Sequence, residues 1–159
     1  MFKSLILGLA LGIFSTAAGA AELVDLNIIR AIESSGNAKA VSFLGAKYGR
    51  GAYQVSEICL QDYNECTNSS VKPDELFDEK ICYTISRWYL TERIPKLLRH
   101  YKITTANTST KELEKLILLC YNWGIGNVVA WHSAGQKESD IPKETQEYYA
   151  RYTRMRGLR

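Results

Sequence analysis

Glu33 is the residue whose setting could do chemistry. It stands at the end of an apolar run, Leu26, Ile28, Ile29 and Ile32, which is spaced for a helix. Ser34-Ser35-Gly36-Asn37 then breaks the pattern as a turn cluster. A carboxylate at the C-terminal end of an apolar helix meets the negative end of the dipole and loses water to its neighbours. Both effects raise its pKa, as a general acid working near neutral pH requires. The plain alternative is an exposed helix-end glutamate. A Gly-rich segment follows, with Gly45, Gly49 and Gly51, and closes on Tyr53-Gln54-Val55. No carboxylate lies between Ser34 and Ser56; the nearest are Asp25 and Glu57. Glycosidic chemistry with two carboxylates needs them about 5 to 9.5 Å apart. The segment offers Ser42 and Gln54 instead, both neutral. The simplest inference is one acid/base carboxylate among polar neighbours, with a partner from elsewhere in the chain left open.

A second group is Cys120-Tyr121-Asn122-Trp123-Gly124. Tyr and Asn end an apolar helix, and Gly124 allows a sharp exit. Buried Tyr and Asn need partners, and a carboxylate facing them would serve. The alternative is a helix C-cap in which Asn122 satisfies backbone. The ten Tyr and three Trp supply faces on which sugar rings stack, although core packing claims half or more of them.

The elements that must position these groups read as helices. Asp25 is a candidate N-cap for the Glu33 helix. Residues 42–55 read as a short hairpin or an irregular loop. A helix spans about Ser56 to Asn64, and polar Glu65 to Lys72 is a loop. Pro73-Asp74 opens a helical region in which Ile81, Ile85, Trp88 and Tyr89 share a face, and Pro95 bends or ends it. Ser109 with Glu112 reads as a capping box ahead of the most apolar helix, which should be central and buried. Ile125 to Trp131 is a short helix, and Pro142 starts the last one, which carries Tyr148, Tyr149 and Tyr152. The class is mainly α, in a single domain.

The chain has 159 residues, enough for one domain with a sizeable core. Residues 1–20 read as a signal peptide: Lys3, an apolar stretch from Leu5 to Phe14, and Ala18-Gly19-Ala20 as a small-x-small cleavage site. This address is periplasmic or secreted. It leaves residues 21–159 as the working domain, without a stable membrane anchor. The net charge of +3 is too weak to argue for nucleic acid. An even set of cysteines, Cys59, Cys66, Cys82 and Cys120, in an exported chain suggests two disulfides, with Cys59–Cys66 the easiest local pair. The other reading includes buried free thiols, with Cys120 as a small core residue. Two His and the cysteine spacings disfavour zinc. The Gly-rich segment lacks the ending of a P-loop, and no nucleophile elbow is present.

Four stretches in order resemble the soluble-type lytic transglycosylases, of the lysozyme-like superfamily. Glu33-Ser34, Ala40-Val41-Ser42, Gly45-Ala46 and Gly51-Ala52-Tyr53-Gln54 are similar to the first two motifs, a Glu-Ser, a Ser nine residues beyond the Glu, and a Gly-Leu-Met/Tyr-Gln close. Cys120-Tyr121-Asn122-Trp123-Gly124 looks like Ala-Tyr-Asn-Ala-Gly, and Pro142-Lys143-Glu144-Thr145-Gln146-Glu147-Tyr148 like Pro-x-Glu-Thr-x-x-Tyr. The set spans Ile28 to Tyr152. The loop from Ser42 to Gln54 departs by being longer, with Lys47-Tyr48-Gly49-Arg50 as the insertion, and Cys120 and Trp123 replace two small alanines.

The resemblance implies a lysozyme-like helical fold and Glu33 as catalytic acid/base. Ser42 would bond Glu33 or the substrate N-acetyl group, Gln54, Tyr121 and Asn122 would hold the sugar, and Tyr148 would close the groove near Glu33. The implied activity is non-hydrolytic cleavage of the MurNAc–GlcNAc β-1,4 bond of peptidoglycan, leaving 1,6-anhydro-MurNAc ends. It needs no metal or organic cofactor. The partners implied are peptidoglycan glycan strands and, for small stand-alone members, secretion or pilus apparatus components; the expected state is a monomer. The alternatives are a hydrolytic muramidase on the same fold, which a second carboxylate near Glu33 would favour, and an inactive glycan-binding or assembly scaffold.

Overall fold

A computed structural model describes residues 23–157, so the expected leader at 1–20 and Arg159 lie outside the described residues. The helices are α1 (Leu26–Ser34), α2 (Glu57–Thr67), α3 (Glu79–Trp88), α4 (Ile94–His100), α5 (Thr110–Trp123), α6 (Ile125–Ser133) and α7 (Lys143–Gly157). Short 3-10 turns lie at Pro73–Phe77 and Glu138–Asp140. The described residues are mainly helical and hold no strand.

Asp25 caps α1 as its type predicts: its carboxylate accepts from the backbone N–H of Asn27 at 2.9 Å and of Ile28 at 3.3 Å. Ser35 ends the helix in the left-handed conformation, with φ 53°. Leu26, Ile28 and Ile29 are buried against the core, which leaves Glu33 at the helix end. The loop that follows is irregular rather than a hairpin. Single antiparallel bridges pair Val41 with Arg50 and Arg50 with Val55. Ser34 ties this loop to α1, its hydroxyl donating to the Ala52 carbonyl at 2.8 Å.

Gly51 is where the loop meets the rest of the chain. Its φ is +75°, and a Cβ there would stand 2.2 Å from the Leu76 carbonyl oxygen and 2.8 Å from Cys82 Sγ. Only glycine permits both the conformation and the approach.

Helix α2 starts at its Ser56 cap, whose hydroxyl accepts from Cys59 N at 3.2 Å. It runs to Thr67, past the Glu65 at which a loop was expected, because Asn68 supplies a left-handed cap with φ 53°. Pro95 does not end its helix. A π-helical segment, Tyr89–Arg93, joins α3 to α4, and the Ile94 N–H bonds Tyr89 O. The wider turn lets Pro95, which has no N–H, sit in the first turn of α4. Ser109 caps α5 by accepting from Glu112 N at 3.2 Å, one half of the expected capping box.

Helix α5 is the central one. Leu116, Ile117, Leu118, Leu119 and Cys120 are all buried, and the helix packs on α4, α6 and α7. Helix α7 also packs on α1. Two bonds fasten that contact: Asp25 N–H donates to Tyr152 Oη at 2.7 Å, and Arg156 donates to Leu23 O at 2.6 Å. The large buried Tyr152 anchors the last helix, so Tyr148, one turn earlier, is carried to the end of α1.

The expected disulfides do not form: Cys59, Cys66, Cys82 and Cys120 are all free. Cys59 and Cys66 lie on α2 seven residues apart. Two helical turns separate them by about 10 Å, beyond the span of a disulfide. Cys59, Cys82 and Cys120 are buried and serve as small apolar side chains.

Candidate functional site

A cavity of about 1090 Å³ opens between the end of α1, the 40–58 segment, the end of α5 and the first half of α7. Glu33 lines it, delivered by the amphipathic turn of α1. Tyr148, on α7, donates its hydroxyl to Glu33 Oε1 at 2.9 Å. Glu33 keeps part of its surface open to the cavity, but protein surrounds the carboxylate closely enough for desolvation to dominate. Burial lifts its pKa from 4.5 to about 7, while the Tyr148 hydroxyl and the Arg151 charge pull it down. Tyr148 itself is buried, and desolvation pushes its phenol well above the ordinary range. It therefore remains a proton donor to the carboxylate wherever Glu33 titrates. A carboxyl group near half-protonation at neutral pH can both give and take a proton in one cycle.

The other predicted residues share the cavity but not this bond. Ser42, Gln54, Tyr121 and Asn122 all line it. Ser42 Oγ accepts from Leu44 N at 3.3 Å, and no bond between Ser42 and Glu33 is present among the described residues. Gln54 has φ 51° and folds its amide back to donate to Gly51 O at 2.9 Å. Tyr121 finds a backbone partner where a carboxylate was considered, donating to Tyr53 O at 2.6 Å. That bond locks α5 to the loop and holds the ring at the cavity wall. Asn122 is half-buried, and Gly124, with φ 92°, takes the C-cap role considered for it. The aromatic supply divides between core and cavity. Tyr53, Trp131 and Tyr152 pack in the core, while Tyr48, Tyr89, Tyr121, Trp123 and Tyr148 face the cavity.

Three charged residues were not singled out for the site. Glu144, Glu147 and Arg151 line the cavity from α7. Arg151 is exposed, yet its charge reaches Glu33. The signal was available in the spacing: positions 144, 147, 148 and 151 recur at three and four residues, one face of a helix. Once Tyr148 is assigned to the site, its face companions follow. Phe43, Leu44 and Ile58 also line the cavity mouth and were unassigned.

The chain was compared with protein-family models, with curated proteins and with solved structures, and none of them matched it.

Proposed function

We propose that the protein is an exported peptidoglycan lytic transglycosylase with a lysozyme-like helical domain. The observation that carries the reading is a half-protonated carboxylate, Glu33, held by Tyr148 in a large cavity that neutral Ser42, Gln54, Tyr121 and Asn122 also line. The ordered motifs that resemble the soluble-type family meet at this cavity, since Glu33, Ser42, Gln54, Tyr121, Asn122 and Tyr148 all line it. In the proposed reaction, protonated Glu33 gives its proton to the glycosidic oxygen as the C1–O4 bond of MurNAc–GlcNAc breaks. The substrate N-acetyl oxygen bonds the anomeric carbon in its place. The Glu33 carboxylate then takes the proton of the C6 hydroxyl, and O6 displaces the N-acetyl oxygen at C1. The products are a 1,6-anhydro-MurNAc end and a free GlcNAc 4-hydroxyl. No water is consumed and Glu33 returns to its starting state. Glycan strands of peptidoglycan are the substrate, and local opening of the wall for a secretion or pilus apparatus is the proposed setting.

A specific observation favours a second reading. Glu144 and Glu147 face the same cavity as Glu33 and could activate water, which would make the protein a hydrolytic muramidase. Mass spectrometry of products from purified peptidoglycan separates the two. Products lighter by one water than the hydrolytic muropeptides, absent with Glu33→Gln, are the outcome expected of the transglycosylase. Full-mass reducing ends would establish hydrolysis. Cleavage at near-normal rate by Glu33→Gln would end both readings.

A further inference from the structure

Among the described residues, seven large apolar side chains stand exposed, and five of them, Val41, Phe43, Leu44, Tyr48 and Ile58, border the cavity mouth on one side. Phe43 is 92% exposed and Ile58 81%. They come from two elements, the loop after α1 and the first turn of α2, so the patch is not the accident of one loop. Single exposed apolar residues need no explanation, but a contiguous cluster marks a contact surface.

The charges around the patch have one dominant sign. Lys39 and Lys47 lie four residues before Phe43 and four after it, and both are exposed, the Lys39 ammonium resting against the Phe77 carbonyl at 3.4 Å. Lys47 Nζ lies 4.8 Å over the Tyr48 ring, which holds the cation beside the apolar tip. Arg50 and Glu57 neutralise each other at 2.9 Å. The α7 side of the mouth has no such excess of cations, since Lys143 pairs with Glu147 at 3.7 Å and Arg151 offsets Glu144.

We propose that this patch docks reversibly on an anionic lipid surface, with Phe43, Leu44 and Ile58 entering the interface and Lys39 and Lys47 meeting the headgroups. An apolar tip between two lysines has the composition of an interfacial contact, where aliphatic stems and rings enter the headgroup boundary and cations remain at its surface. Stacking on sugar is the poorer match. Val41, Leu44 and Ile58 offer neither a planar face nor a hydrogen bond, and Phe43 and Ile58 are directed to solvent. No helix among the described residues is long and apolar enough to cross a membrane. Contact of this kind is peripheral and weakens with salt.

The test is flotation of the full chain with vesicles of phosphatidylglycerol and phosphatidylcholine, against phosphatidylcholine alone. Both proteins in each comparison carry the same N-terminal segment, so their difference reports the patch. Wild type should partition to the anionic vesicles. The double variant Phe43→Ser, Leu44→Ser and, independently, Ile58→Ser should weaken partition, the double by about tenfold or more. Lys47→Glu should weaken it less, and added salt should erase that difference. In Phe43→Trp the added indole emission should shift to the blue on anionic vesicles only. These positions stand in solvent, so the melting temperature should not move. Equal partition of wild type and the double variant, with no shift in Phe43→Trp, would overturn the proposal. So would a patch whose substitution instead weakens N-acetylglucosamine hexamer binding, or abolishes a concentration-dependent dimer, while vesicle binding is absent.

Discussion

The two sides of the cavity mouth are built by different means. The α7 side is one face of a helix fastened to α1 through Tyr152 and Arg156, and it presents Tyr148 and Arg151 to Glu33. The loop side is irregular, held by two isolated bridges, the Ser34–Ala52 bond and the close seat of Gly51. The first side is polar and acts on the pKa of the acid. The second is apolar and exposed. A proton donor must be placed to within tenths of an ångström, which packed helices achieve, whereas a contact surface tolerates a loop. The loop therefore governs what the cavity mouth touches and leaves the carboxylate where α1 and α7 put it.

The strongest way to break the comparison is Glu33→Gln. Loss of the proposed acid/base should cut the proposed cleavage by about 10²- to 10⁴-fold, read from muropeptide release. The same variant reports on stability with a defined sign. The folded-state pKa of Glu33, about 7, lies above the ordinary value of 4.5, so the fold favours the protonated form. That contribution is complete below the unfolded pKa and is lost as pH rises through 7. Wild type should therefore lose stability relative to Glu33→Gln between about pH 4.5 and 7. The difference should reach up to about 3 kcal/mol above pH 7, measured by urea unfolding across the range. A flat difference would show that burial does not set the carboxylate's state.

Gly51→Ala attacks the loop side alone. Its Cβ would meet the Leu76 carbonyl oxygen at 2.2 Å in a backbone conformation costly for alanine, so a loss of roughly 3 kcal/mol is expected. Urea midpoints measure it. A change under 1 kcal/mol, on the scale of an ordinary surface substitution, would show that the loop moves away freely.

Tyr148→Phe acts on the helical side. Removing a donor to the carboxylate disfavours its charged form, so the Glu33 pKa rises and the falling limb of the pH–rate profile moves to higher pH. Activity at neutral pH should drop about tenfold, the worth of a hydrogen bond to a charged group. Arg151→Gln should shift the profile in the same direction by less. Its charge is exposed to solvent and screened by salt, and the shift should shrink as ionic strength rises. A larger effect from Arg151 than from Tyr148 would reverse the order that the geometry supports.

Much of the scaffold was legible in residue types that act locally. Asp25, Ser56 and Ser109 cap the helices they precede, because a side-chain oxygen satisfies N–H groups two or three residues away. The burial of Leu116 to Cys120 followed from apolar residues all around one helix. Pro95 was read as a bend or a stop because its missing N–H is a local fact. The π-turn that accommodates it depends on the packing of α3 and α4 against the core, which no window of sequence contains. Disulfide pairing failed for a related reason: an even cysteine count speaks of compartment, whereas pairing is a matter of distance.

By itself the sequence determined that Glu33 ends an apolar helix ahead of a polar, glycine-rich loop. Those are properties of neighbours along the chain. Only the tertiary structure decided which groups meet that carboxylate. Tyr148 lies 115 residues away, and Tyr121 reaches Tyr53 rather than an acid. The pKa of about 7 came from the same source, because desolvation depends on every element that closes around the group.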